Sequence, residues 1–259
     1  LMILATVGIS TSPAQESGNA NVVSVSGEAS MQMPPATEWQ AVEAGASLPQ
    51  GTQIRTEPAA SVLIEFKPGH RSQIAGGSFV TLSELSYAEE QGPEKTTVDL
   101  AVGKILSNVK KLRTTNSEYS VRTPTASAAV RGTVYEVVYD PGTRHTQVKV
   151  LEGLIHLESR IGTRLSGEIN EREKSGVDAS GALSPSEPMS EQETNEMQQA
   201  SQQAVTSQAG TSEVQGQTGQ LDATQSEVTG RLEEIQERLS EENRANRIDS
   251  LREIDDDDD

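Results

Sequence analysis

The chain has 259 residues, enough for one domain of ordinary size plus a tail, or for two small domains. It has no cysteine, which excludes disulfides and thiolate chemistry, and only 3% aromatic residues with a single tryptophan, so its core must be thin and built from Val, Ile, Leu and Ala. The net charge of -18 is uneven: from Leu183 onward nineteen acidic residues face five basic ones, and a charge of that sign repels phosphate backbones, which argues against nucleic-acid binding.

Leu1 to Ile9 is apolar and uncharged. Small residues and Pro13 come next, with Ser12 and Ala14 at the spacing of an A-x-A-like cleavage site. The run is too short to cross a bilayer, which needs about 20 apolar residues. Residues 1–20 therefore read as the remnant of an export signal and its linker, as the outer end of a membrane anchor, or as an apolar stub inside a fold. The first two readings place the rest of the chain in the periplasm or outside the cell.

Short strands come next. Val23 to Val25 alternates apolar and polar before Ser26-Gly27, and Met33-Pro34-Pro35 forms a loop that leads to Trp39. Gly45, Gly51 and Gly69 punctuate the next segments. Ser61 to Phe66 reads as a strand with Val62, Ile64 and Phe66 on one face and Leu63 on the other. Phe79 to Leu85 alternates again, and Gln91 to Lys95 is a polar hairpin loop. Thr96 to Leu106 reads as two strands hinged at Gly103. Asp140-Pro141-Gly142 is a turn, because Pro presets φ and Gly accepts a positive one. Thr146 to Leu151 and Leu154 to Glu158 form a last pair split by Glu152-Gly153. Many short strands without a helical period predict an all-β domain over residues 21–160. The scarcity of aromatics favours a narrow β-solenoid-like body over a compact sandwich.

Residues 161–183 are a polar extension in which Arg164-Leu165 and Glu168-Ile169 offer one more hairpin. Residues 184–259 turn to Gln, Ser, Thr, Glu and Ala, a mixture that buries too little surface to offset chain entropy. Within this acidic, partly helical tail, Ser190 to Glu193 has the form of a capping box, and Met197, Ala200 and Ala204 share a helical face. Thr206 to Gln220 reads as disordered. Val228, Leu232, Ile235 and Leu239 repeat as a short coiled-coil seam, so Val228–Ile254 is a candidate for self-association. Asp255 to Asp259 reads as a solubilising end rather than a Ca²⁺ loop.

The middle of the domain carries the most specific pattern. Glu118 to Val138 holds two apolar strands around the small-residue run Thr125 to Val130 and then Arg131-Gly132-Thr133. The words TP-x-A-x-A-x-VRGT-x-Y-x-V, from Thr123 and Pro124 to Val137, resemble the signature of the FecR-type periplasmic domain. Trp39-Gln40-Ala41-Val42 with Gly45, Leu48, Gly51, Ile54 and Thr56 resembles the family's opening W-x-x-V segment. Val62 to Gly69, Val98 to Val109 and Val148 to Leu157 with Gly153 resemble its later strands, so the likeness covers roughly residues 20–158 in order. The resemblance implies a twisted, all-β, two-sheet or solenoid-like domain that binds other molecules outside the inner membrane. Founding members of the family sense an outer-membrane transporter and signal to a sigma factor.

Candidate sites are few. His70, His145 and His156 lack metal-ligand spacing and read as solvated surface histidines. No nucleophile elbow, P-loop or H-E-x-x-H motif occurs, so no enzyme, cofactor or metal is expected. Arg131 reads as a pin for carbonyls or for Glu118 or Glu136, or else as a group reaching an anionic ligand. Trp39 reads as a core plug. Lys110-Lys111-Leu112-Arg113 is a basic run in an acidic protein, either a solvated loop or a docking spot for an acidic partner. The function expected is a non-catalytic binding or sensing module of the cell envelope, with an envelope protein or polysaccharide as its partner. A structural envelope protein that self-assembles through its C-terminal segment is the alternative.

Overall fold

The computed structural model describes residues 16–87, 94–112 and 114–206. The chain divides into two units, Leu1–Gln208 and Ala209–Asp259, and all described residues belong to the first. The apolar start, the Val228–Ile254 seam, the Asp255–Asp259 run and all but the first residue of Thr206–Gln220 lie outside the described residues.

The strands are β1 (Glu16–Ser17), β2 (Asn19–Ser26), β3 (Ala29–Gln32), β4 (Gln40–Ala41), β5 (Ser47–Pro49), β6 (Gln53–Thr56), β7 (Ser61–Lys67), β8 (His70–Ile74) and β9 (Phe79–Tyr87). They continue with β10 (Glu94–Val109), β11 (Glu118–Arg122), β12 (Ala126–Val130), β13 (Thr133–Asp140), β14 (His145–Glu152), β15 (Ile155–Ser159), β16 (Ser166–Ile169), β17 (Glu173–Val177) and β18 (Glu187–Pro188). One helix, α1 (Glu191–Thr206), ends the described part.

These strands form two sheets. The front sheet runs β4-β3-β6-β9-β10-β11-β12-β15-β16, with β1 beside β6 on the same edge of β9. The back sheet runs β5-β2-β7-β8-β10-β13-β14-β17-β18. The pairing of β10 with β11 is parallel, and the other pairings among described residues are antiparallel. Strand β10 belongs to both sheets. No ladder joins β4 to β5 or β16 to β18, so the sheet is open rather than closed into a barrel.

The crossing lies at Gly103. Residues up to Val102 pair with β9 in front, and residues from Gly103 on pair with β13 behind. Its φ of +98° suits glycine, and a Cβ there would sit 2.6 Å from the Cα of Ser78. The two strands expected across Thr96 to Leu106 are thus one bent strand of 16 residues.

The inner faces of both sheets share one apolar cluster. Val62, Ile64 and Phe66 of β7, Val80 and Leu82 of β9, Val98 and Leu100 of β10, and Ile155 and Leu157 of β15 all belong to it. Alternation along β9 fails once: Leu82 and Leu85 both point inward, because Glu84 pairs Thr97 while Leu82 pairs Val98, leaving Ser83 as a bulge. The core is also less purely aliphatic than its composition suggests. Tyr119 and Tyr135 are its largest fully buried side chains. The Tyr119 hydroxyl lies 2.7 Å from Ser72 Oγ, which lies 2.6 Å from Ser107 Oγ, and the Tyr119 ring meets Phe66 edge-on. Burial pushes the Tyr119 hydroxyl up to a pKa of about 12, so it stays neutral in this polar chain.

The core does not stop at residue 160. Strand β16 adds to the front sheet and β17 to the back sheet, and Ile169 and Val177 join the main cluster. Strand β16 pairs antiparallel with the preceding β15, while β17 pairs with β14 in the other sheet. The polar extension thus belongs to the folded body, because one inward apolar residue per strand is enough to anchor it.

Candidate functional site

The two outer faces differ. Behind, Leu106 of β10, Val134 of β13 and Leu151 of β14 project outward and are covered by Met189, Met197 and Ala200. The N-terminus of α1 is fixed by the capping box expected at Ser190. The Glu193 N–H donates to Ser190 Oγ at 3.2 Å, and the Ser190 N–H donates to the Glu193 carboxylate at 3.0 Å. Lys149 and Lys174 reach the same carboxylate, each at 3.1 Å. The Ser190 N–H foremost, with these two ammonium groups, holds the Glu193 carboxyl down to a pKa of about 2. Arg71 donates to the Ala204 carbonyl at the far end of the helix.

In front, the outward residues of the central strands are small or polar. The strand register sets Ser120 of β11, Ala129 of β12 and His156 of β15 side by side, and likewise Arg122, Ser127 and Glu158. Ala126, Ala128 and Val130 alternate with them and are buried in the core. Small residues on the floor, with longer ones around, leave an open trough of about 1040 Å³. Lys95, Lys111, Glu118, Arg131, His156 and Glu158 border it, and Leu154, 44% exposed, adds an apolar wall.

The signature residues shape the surroundings of this trough, and Arg131 also borders it. Thr123 is buried. Its Oγ1 takes the N–H of Ala126 at 2.9 Å and lies 2.6 Å from Thr146 Oγ1, which shares a second 2.6 Å contact with Thr125 Oγ1. This threonine cluster fixes the turn between β11 and β12, with Pro124 exposed at its tip. Arg131 is exposed and donates to the Thr115 carbonyl. It therefore pins the loop before β11, not a carboxylate: Glu136 lies on the back sheet with Lys104 and Lys149, and Glu118 makes no ion pair among the described residues. Gly132 and Thr133 form the trough's end, and Gly153 packs behind them. Thr133 Oγ1 donates to the Leu154 carbonyl at 2.9 Å, and a Cβ on Gly153 would come within 2.7 Å of the Gly132 carbonyl oxygen. Gly45 and Gly51 hold positive φ in turns away from the trough.

Two expectations are corrected. Trp39 is not a core plug. It is half-buried outside the apolar cluster, where Arg55 stacks 4.4 Å from its ring centroid and Phe79 packs against it. A lone tryptophan suggests a core position on size alone, and no local pattern around it signals the cation that shields it. His70 is not solvated. Its side chain is largely buried, Nδ1 has no hydrogen-bond partner, and Nε2 lies 3.8 Å from Glu94. Burial foremost lowers its pKa, helped by Lys67 and Lys110 and opposed by Glu94 and Glu65. The covered back face is signalled in the sequence by the capping box and by Met197, Ala200 and Ala204, although not the surface on which they pack. Among the described residues, no cluster of His, Asp and Glu is arranged to hold a metal ion.

Fold and surface together define a β-rich domain with a broad, open outer trough. Residues 52–156 match the family described as FecR protein, and this stretch of the chain is a FecR domain. The match includes Gly103 and the whole TP…VRGT segment, while Trp39, Gly45 and Gly51 lie before it. Two crystal structures of a candidate anti-sigma factor from Parabacteroides distasonis ATCC 8503 are similar at TM-scores of 0.43 and 0.44, with 16% and 14% identity. Each match covers 55% of this chain and 62% of that protein, so the chain spans about three fifths of its length. No curated protein matches the chain.

Proposed function

We propose that this chain is a non-catalytic binding and sensing module that works in the cell envelope through protein–protein contact. The observation that carries this reading is a FecR domain with one outer face sealed by its own helix and the other left as an open trough. The trough is shallow and mixed in character, which suits a macromolecular surface better than an enclosed small ligand. The apolar start supports export, and the winding, in which the chain steps between two sheets while advancing, supports a solenoid-like description. Site-specific photo-crosslinkers test the proposal in intact cells. A crosslinker at Ala129 should give a discrete higher-mass adduct in the envelope fraction, and one at Gln192 on α1 should not. Equal adducts at both positions, or a soluble cytoplasmic protein, would defeat it. The repeat of Val228, Leu232, Ile235 and Leu239 favours a second reading, a scaffold that self-assembles, and identical adducts between two copies would support that instead.

A further inference from the structure

We infer that the front trough recognises an extended acidic peptide segment of its partner, one that also carries a bulky apolar side chain. The inference rests on the binding-module reading above and names the chemistry of that partner. Most lysines and arginines outside the trough are occupied: Lys67, Arg71, Lys104, Lys149 and Lys174 of the back sheet and Arg122 of the front sheet each reach a carboxylate. The trough is different. Lys95, Lys111 and Arg131 all border it, all are exposed, and none has an ion-pair partner among the described residues. Two carboxylates share the rim, but Glu158 is engaged by Arg164 at 3.6 Å, so the local balance is positive.

That local balance stands out against a chain of net charge -18. In an acidic chain this patch favours an acidic segment in one place, so the trough sets orientation as well as contact. Its floor accepts a backbone, because Ser127 and Ala129 leave no long side chain in the way. A volume of about 1040 Å³ lies at the upper limit for small-ligand sites and suits several peptide residues. Leu154, 44% exposed beside these cations, supplies a place for an apolar side chain.

A fluorescein-labelled peptide of alternating Asp and Leu, ten residues long, is the probe, read by polarisation with the full chain at 50 and 300 mM salt. Binding should weaken at least tenfold at the higher salt. The Lys95→Glu, Lys111→Glu double variant should weaken it at least tenfold at 50 mM, while Arg144→Glu on a distant turn should change it less than twofold. Both trough lysines are exposed, so the variant should keep the wild-type circular dichroism spectrum. Absence of binding at 50 mM salt, indifference to the double reversal, or equal binding of a Lys-Leu peptide would each overturn the inference. If the Ala129 crosslink persists while the peptide fails, only the partner's chemistry falls and the module reading stands.

Discussion

The two outer faces of this domain come from strands with the same pleat and the same alternation, and yet one is closed and the other open. The difference lies in a handful of side chains. Behind, Leu106, Val134 and Leu151 point outward and need cover, and burying each fully is worth about 1.5–3 kcal/mol. In front, Ser127 and Ala129 occupy the matching outward positions and leave no apolar surface that demands a lid. A sheet's outer face is thus assigned by a few residues on the off-beat of the alternation, while the on-beat residues make the shared core. The helix answers that demand with Met197 and is located by charge through Glu193.

Three substitutions break or sharpen this contrast. The largest effect should come from Gly103→Val, which strikes both faces at once. A side chain there collides with the Ser78 backbone and must adopt a φ of +98°, so the loss should be about 3 kcal/mol or more in urea unfolding. Next, Met197→Asp should undock α1 at a cost of about 2–4 kcal/mol, with loss of the helical circular dichroism signal and gain of dye binding to the bared back face. Its counterpart in front, Ser127→Asp, should stay within about 0.5 kcal/mol of wild type. Equal losses at the two positions would erase the distinction between the faces.

At the cap the loss should be smaller than at Met197. Glu193→Gln should cost about 1 kcal/mol, read from the same unfolding curves. It should also remove a pH dependence. The Glu193 carboxyl titrates at a lower pH when folded than its ordinary value of 4.5, so its stabilisation is complete above 4.5. It is then lost as pH falls from 4.5 toward about 2, where the carboxylate takes up its proton. In the Gln variant, helix content should not show this decline.

Much of the domain is readable in the chain. Val62, Ile64 and Phe66 announce an inward face, and Gly103 announces a bend, because periodicity and glycine report local geometry directly. The capping box does the same for α1. What local signals do not encode is which sheet a strand joins. Strands β16 and β17 carry mainly polar residues, and only Ile169 and Val177 tie them to the core, so by composition the folded body looks shorter than it is. The trough is hidden for a related reason. Lys95, Lys111, Arg131 and Leu154 lie far apart in sequence and meet only through the pairing of β10, β11, β12 and β15. Trp39 defeats a reading by bulk, because size alone does not tell a core from a stacked surface.

The shared strand β10 also has a mechanical meaning. A tug on the trough side near Lys95 travels along a single covalent backbone to Val109, which lies between β8 and β13. Load therefore passes from one layer to the other as tension in a peptide chain, instead of as slippage between packed side chains. Such a body would resist shear between its layers and yield first at its rims, where β4 and β18 are held by only two residues each.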